Sequence, residues 1–325
     1  MRRRAFIALL GGAAAFAPLA ARAQQPTLPV IGYLGSASPD IWAGRVRAFR
    51  QGLSDAGFVE GKNVTVEYRW AEDHKDRLPA LAADLVRRQV AVIAANGPAV
   101  AAAKAATTTI PIIFQIGGDP VAAGLVKSLS RPGGNLTGVT SLGVELGPKK
   151  LELMHEVLPT ATVIAALVNP AGPNAATDAR DFQAAAGVLR VKLHVLNAST
   201  ARELEPAFAN LAQLKAGGLV IGTDAFFNTQ IERLAELSVR HAVPTLFQFR
   251  EFAAAGGLMS YGGDPTERSR QVGIYAGRIL KGEKPADLPV MQATKVELIL
   301  NLKTARALGL TVPLTLIGRA DEVIE

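Results

Sequence analysis

Short runs of β-branched and other apolar residues alternate with segments of helical periodicity from Pro29 onward. The apolar run at residues 30–34, for example, is followed by Val46, Phe49 and Leu53, which recur at helical spacing. Strands that alternate with helices form βαβ units, which build parallel sheets covered by helices. The alternation therefore predicts an α/β fold with parallel sheets.

The alternation runs twice along the chain. The first series predicts strands at residues 30–34, 64–68, 90–95, 110–116 and 135–141. The polar alternation of residues 64–69 favours a position near a sheet edge, and the turn at residues 117–120 is predicted to lead into a helix. The second series begins at Pro148 and predicts strands at residues 163–168, 192–196, 218–222, 244–249 and 258–261. Two doubly wound lobes are therefore expected.

The N-terminus has the three parts of a secretory signal peptide. Arg2, Arg3 and Arg4 precede an uncharged run of 13 residues at 5–17, and Ala-Arg-Ala ends at Ala23. This run is too short to span a bilayer, which takes about 20 apolar residues. We predict a cleavable signal peptide at residues 1–23 and delivery to the periplasm. The paired arginines fit either the twin-arginine route or the basic start of a general secretory signal.

Charge and cysteine content exclude several classes of protein. The formal net charge is +7, and removing the four arginines of residues 1–23 leaves +3. No block of five or six like charges and no basic stretch interleaved with aromatic residues is present, so a nucleic-acid partner is not expected. The absence of cysteine excludes disulfides, thiolate sites and a lipid-modified cysteine. No later run reaches 18 apolar residues, so a membrane-embedded chain is not expected.

Polar residues follow most of the predicted strands. Ligands of open parallel sheets bind beyond the carboxyl ends of the strands, where loops and helix N-termini meet. Short hydroxyl, amide and carboxylate side chains suit a small polar head group there. The same residue types also cap helices and form turns, and the sequence leaves both interpretations open. The candidate ligand-binding residues in these loops are Ser36, Asn96, Gly97, Asp119, Thr140, Ser141, Asn169 and Asp224.

Aromatic residues at strand ends or helix starts add a second set of candidates. Trp42, Phe226 and Tyr261 are placed to sandwich an aromatic ring. Packing against the surface or the core is the alternative for Trp42 and for the pair Phe226-Phe227. The histidines are scattered without metal-ligand spacing, and neither a nucleophile elbow nor a nucleotide-binding glycine motif occurs. We therefore predict no enzyme activity, no catalytic residues, no metal and no cofactor.

Long ordered stretches of the chain resemble one family. They include AFRQGL at 48–53, GDPV at 118–121, LSRPGGNLTG at 129–138, GLMSYG at 257–262, RILKGEKPADLPV at 278–290 and LNLKTARALGL at 300–310. In these stretches the chain resembles the periplasmic substrate-binding proteins of ABC transporters, of the type I periplasmic binding protein fold and the TrpX-like family.

The resemblance implies two lobes joined by a three-stranded hinge, with a small-molecule ligand trapped between them. We expect lobe 1 at residues 28–143 plus 263–289 and lobe 2 at 144–262 plus 290–325, with crossings near Gly143, Gly262 and Pro289. The implied function is periplasmic capture of an amino acid or small organic acid, with aromatic and branched-chain ligands as candidates. The implied partner is an ABC permease, and the implied state is a monomer. Alternatives are a ligand sensor for a membrane receptor and a periplasmic enzyme on the same fold.

Overall fold

The computed structural model describes residues 28–141, 146–293 and 295–325. The predicted signal peptide and the predicted crossing at Gly143 lie outside these ranges. The first five strands and three helices are β1 (Val30–Gly35), α1 (Ala43–Asp55), β2 (Thr65–Trp70), α2 (Leu78–Arg87), β3 (Val92–Asn96), α3 (Ala99–Ala106), β4 (Ile112–Ile116) and β5 (Leu136–Thr140).

The second series follows the same alternation. Its elements are α4 (Gly147–Val157), β6 (Val163–Val168), α5 (Ala175–Leu189), β7 (Lys192–Asn197), α6 (Ala201–Leu214), β8 (Gly218–Ile221), α7 (Ala225–Thr229), α8 (Ile231–Arg240), β9 (Thr245–Phe247), α9 (Arg250–Ala254) and β10 (Met259–Gly262). The remaining elements are α10 (Pro265–Leu280), β11 (Met291–Gln292), β12 (Glu297–Asn301), α11 (Leu302–Ala307), α12 (Leu314–Ile317) and β13 (Glu322–Ile324).

Two sheets organise these elements and define the two lobes. The first sheet has the strand order β11-β5-β4-β3-β1-β2, and all of its pairs are parallel. The second has the order β13-β12-β10-β9-β8-β6-β7 and is parallel except for the pair β10–β12. The predicted α/β fold with two doubly wound lobes is confirmed, and β2 lies at a sheet edge as its alternating pattern predicts.

Two details differ from the sequence prediction. Residues 120–128 form turns and bends instead of a helix, because the single helical turn from Asp119 to Ala123 reaches Gly124 at φ +63°. Residues 290–325 were expected in the second lobe, whereas β11 pairs with β5 in the first sheet. Val290 is buried in the first lobe and donates its N–H to Leu129 O, which holds this segment against β5.

Helices cover both faces of each sheet, so each lobe has two apolar clusters. On one face of the first sheet α1 packs against α10 at very short range. A Cβ atom built on Gly52 would lie 1.9 Å from Arg270 O, and one built on Gly273 would lie 2.1 Å from Phe49 O. The two glycines therefore let the helix backbones approach more closely than larger residues allow.

Candidate functional site

The carboxyl ends of the strands in the two lobes face each other and are in contact. A Cβ atom built on Gly97, after β3, would lie 3.5 Å from Ala225 Cβ of the second lobe. One built on Gly117, after β4, would lie 3.2 Å from Thr223 Cγ2. The loops after β3 and β4 therefore meet the loop after β8 at one interlobe cleft, at the sheet ends where ligands of such folds bind.

The wall of the cleft that the first lobe contributes joins the ends of β1 and β3. The Ser36 N–H and hydroxyl both donate to Asn96 Oδ1, at 3.3 Å and 3.2 Å. The Asn96 amide nitrogen donates to Leu34 O at 3.4 Å, and both polar side chains are buried. Gly97 follows at φ +50°, a conformation that suits glycine, so the chain turns directly beneath the second lobe.

The candidates after β4 and β5 have different environments. Thr140 is buried and its hydroxyl donates to Gly118 O at 2.8 Å. Ser141 is half-buried, and its hydroxyl oxygen would lie 3.7 Å from a Cβ atom built on Gly117. Asp119 is exposed, and its carboxylate accepts from the N–H groups of Val121 and Ala122, as a turn cap does.

The wall of the cleft that the second lobe contributes is organised by Asn169 and Asp224, both buried. The Asn169 amide nitrogen donates to Asp224 Oδ1 at 2.7 Å, and that oxygen also accepts from Phe226 N at the start of α7. The side-chain oxygen Oδ1 of Asn169 accepts from Ala171 N and from the Ser199 hydroxyl. These bonds tie the ends of β6, β7 and β8 together.

The predicted aromatic residues lie apart from one another. Phe226 is half-buried with its ring centroid 5.3 Å from that of the fully buried Phe227. Tyr261 pairs with Leu298 across β10 and β12 and packs against an apolar cluster of the second lobe. Trp42 is buried at the start of α1, beside Arg45.

Replacing Asp224 by alanine is expected to lower the free energy of unfolding by about 1–2 kcal/mol, because α7 loses its cap and Asn169 loses an acceptor. Chemical denaturation of both proteins measures the difference. Asp224→Asn is the matched control: it keeps an oxygen that accepts hydrogen bonds and should recover most of the loss. Equal destabilisation by both substitutions would contradict the capping role.

The sequence analysis missed a cluster of arginines and aromatic rings that crosses the cleft. The Arg45 guanidinium lies 4.4 Å from the Trp42 ring centroid and 5.2 Å from that of Phe249, which follows β9 in the second lobe. Arg268 of α10 lies 5.7 Å from the same Phe249 centroid. Both arginines are buried, and burial lowers the pKa of each, that of Arg268 to about 10.

A helix-face signal marks both arginines in the sequence. Arg45 shares one helix face with Phe49 and Gly52, and Arg268 shares one with Val272 and Tyr275. An arginine at such a buried position is unusual unless its charge has a partner. The spacing of both helices therefore predicts that each arginine is buried, but it does not predict that the two meet.

A second buried charge pair lies beneath the cleft in the second lobe. Lys150 Nζ donates to Thr223 Oγ1 at 3.3 Å, and Asp178 accepts from Thr223 N at 2.9 Å. Burial lowers the pKa of Lys150 to about 8 and raises that of Asp178 to about 6, while the attraction between the two charges opposes both shifts. Thr223 thus connects the pair to the cleft.

The described ranges contain neither a metal-binding cluster nor a membrane-spanning helix. Among residues 28–141, 146–293 and 295–325, no group of three or more His, Cys, Asp or Glu side chains is arranged to hold a metal ion. No helix within these ranges has the length and apolar character needed to cross a membrane.

Comparison with known proteins decides the family. Residues 39–324 match the family described as ABC transporter substrate binding protein. The chain belongs to this family. This substrate-binding protein is therefore the solute-binding component of an ABC transporter. Members of its family bind small ligands outside the cytoplasm and work with ABC permeases.

Individual relatives of this substrate-binding protein support the assignment. It is 27% identical to a tyrosine-binding protein of Clostridioides difficile (strain R20291) over 266 residues, or 81% of this chain and 76% of the relative. The ABC domain of Streptococcus pneumonia in complex with L-Trp has a TM-score of 0.83 at 24% identity, covering 92% of this chain and 100% of that one. These relatives are described as binding proteins, not as enzymes.

A second solved structure is a ligand-free, open substrate-binding protein with adhesive properties from Clostridium difficile. Its TM-score with this substrate-binding protein is 0.66 at 24% identity, covering 91% of this chain and 99% of that one. The lobes of the present structure touch across the cleft at Gly97 and Gly117. The two lobes of the present structure therefore have a closed arrangement.

Proposed function

We propose that this protein captures an aromatic amino acid between its lobes and delivers it unchanged to an ABC permease. The observation that carries the proposal is the stack of Trp42, Arg45 and Phe249 across the cleft, which joins a ring and a positive charge of the first lobe to a ring of the second. An aromatic ring and a carboxylate are the groups that such a stack recognises. The names of the relatives, a tyrosine-binding protein and an L-Trp complex, support the same ligand class.

Ligand capture works by closure of the two lobes. A ligand that contacts both walls stabilises the closed state over the open one, so binding shifts an existing equilibrium. Ser36, Asn96 and Ser141 from the first lobe and Asn169 and Phe226 from the second are the proposed contacts beside the stack. Their polar atoms lie on loops that a change of lobe angle brings together or separates.

The setting of this function is the periplasm. We propose that residues 1–23 direct export, that the signal is then removed, and that the protein acts as a monomer without a nucleic-acid partner. The arginines and the uncharged run of this segment support export. The permease is the proposed protein partner.

We expect L-tyrosine or L-tryptophan to raise the unfolding temperature of the purified protein with a saturating dose dependence. At a ligand concentration of 100 times Kd, the added stability is about 2.7 kcal/mol. Thermal-shift assays with L-leucine, glucose and aromatic carboxylates as comparison compounds test the ligand class, and calorimetric titration gives the Kd. Mass spectrometry of the denatured protein identifies any ligand carried from the cell. Stabilisation by glucose alone would contradict the proposal.

A further inference from the structure

The two arginines of the cleft cluster approach the same aromatic ring from different helices. Arg45 belongs to α1 and Arg268 to α10, and both helices are part of the first lobe. Their guanidinium carbons lie 5.2 Å and 5.7 Å from the centroid of Phe249 in the second lobe. Two positive charges are therefore gathered at one point of the lobe interface.

Neither guanidinium has an ionic partner among the described residues. No carboxylate oxygen of residues 28–141, 146–293 or 295–325 lies within 4.0 Å of Arg45 or Arg268. Arg268 is only 5% exposed, and its buried Nε atom has no hydrogen-bond partner among the described residues. Glu251 and Asp264 attract both charges from beyond ion-pair distance.

The surroundings of Arg268 differ from those of the other arginines of α10. The Arg270 side chain of α10 is 40% exposed and forms an ion pair with Asp55 at 2.7 Å, and Arg278 pairs with Glu283 at 2.6 Å. A buried charge without a partner is strongly unfavourable, because it loses its hydration and gains no counter-charge. A binding protein retains such a pair where the ligand supplies the missing anion.

We propose that Arg45 and Arg268 form the subsite that binds the carboxylate of the captured ligand. The inference rests on the proposed function and specifies which group of the ligand the closed cleft recognises. A carboxylate placed between the two guanidiniums forms charge-assisted hydrogen bonds with donors that otherwise lack acceptors. The Phe249 ring, which closes over both arginines, removes water from these bonds and couples carboxylate binding to lobe closure.

This subsite predicts strong selection against ligands without the negative charge. L-tyrosinamide has the ring and the amino group of L-tyrosine, but its amide adds no anion. We expect it to bind the wild-type protein at least about 100-fold more weakly than L-tyrosine, because two buried charges stay uncompensated. Calorimetric titration with both compounds measures this ratio.

Variants on α10 assign the selection to Arg268. We expect Arg268→Gln to weaken L-tyrosine binding by about 10- to 100-fold and to change L-tyrosinamide binding by less than about threefold. Arg270→Gln, on the same helix but at a half-buried residue that is paired with Asp55, is the matched control and should leave both affinities unchanged. Arg45→Gln and the exposed control Arg47→Gln repeat the comparison on α1. Equal loss for both ligands in Arg268→Gln would overturn the subsite and indicate a structural arginine.

The ligand-free protein provides an independent readout. We expect Arg268→Met to raise its unfolding temperature, because the substitution removes a buried charge that has no partner in the absence of ligand. A fall in unfolding temperature would overturn the subsite. If the wild type binds neither L-tyrosine nor L-tryptophan, the proposed ligand class is wrong and this measurement still decides about the arginines. If it binds L-tyrosine and L-tyrosinamide equally, the ligand class stands and the carboxylate subsite is wrong.

Discussion

Replacing Lys150 by methionine is expected to lower the free energy of unfolding by about 3–5 kcal/mol at neutral pH. Lys150 is fully buried, and the attraction of its positive charge offsets part of the cost of burying the Asp178 carboxylate. Methionine fills a similar volume, so the loss comes from the carboxylate that remains buried without a counter-charge. Urea denaturation followed by circular dichroism measures the difference.

The double variant Lys150→Met with Asp178→Asn is the control for this explanation. Asparagine carries no charge and keeps an oxygen that accepts from Thr223 N, as Asp178 does at 2.9 Å. We expect the second substitution to recover most of the stability lost in the first. A double variant as unstable as Lys150→Met would show that the stranded carboxylate is not the cause.

The effect of Lys150→Met is also expected to depend on pH. Burial raises the pKa of Asp178 from 3.8 to about 6, so between these values the folded state holds a proton that the unfolded state has lost. Stability therefore falls as pH rises through this window. Without the positive charge of Lys150 the pKa rises further and the fall extends to higher pH. The difference between variant and wild type should be small at pH 5 and large at pH 8.

Replacing Gly273 by valine is expected to destabilise the first lobe by about 3 kcal/mol or more. A Cβ atom at this position would lie 2.1 Å from Phe49 O and 2.8 Å from Leu53 N, which are backbone atoms of α1. A backbone cannot rotate away as a side chain does, so the two helices must separate and expose their apolar contact. The unfolding temperature should fall by roughly 6–12 °C in a thermal scan.

Gly44 provides the comparison for this effect. It lies in α1 on the exposed side, and a Cβ atom there would meet no atom of the described residues within 4 Å. Gly44→Ala should therefore raise the free energy of unfolding by up to about 1 kcal/mol, because alanine favours the helix. If both substitutions had the same sign and size, the close approach of α1 and α10 would not explain the result at Gly273.

The order of strands and helices is encoded locally, and the sequence predicts most of it. The strand predicted at residues 163–168 is β6, and the helix predicted from the spacing of Val46, Phe49 and Leu53 is α1. Both follow from the spacing of apolar residues, which reflects burial on one or both faces. The helix predicted after residue 120 was wrong, because the positive φ of Gly124 ends the helical turn. The spacing of apolar residues carries no information about this backbone angle.

Part of the candidate site follows from a general rule of parallel sheets. Their carboxyl ends lie on one edge, so residues that follow neighbouring strands are close in space. This rule predicts that Ser36 lies close to Asn96 and that Asn169 lies close to Asp224. A hydrogen bond joins each of these pairs in the structure. The rule does not distinguish a residue that faces the cleft from one that caps a loop, as Asp119 does.

The sequence by itself determined the fold class, the two series of βαβ units and the loops that line the cleft, because these depend on short-range spacing. Only the tertiary structure decided that Arg45 and Arg268 meet Phe249. These residues lie on different helices and different lobes, so their approach depends on how α1 packs against α10 and how one lobe rests on the other. Helix periodicity places each arginine on a buried face, but only that packing brings the two charges together, with no carboxylate of the described residues within ion-pair distance.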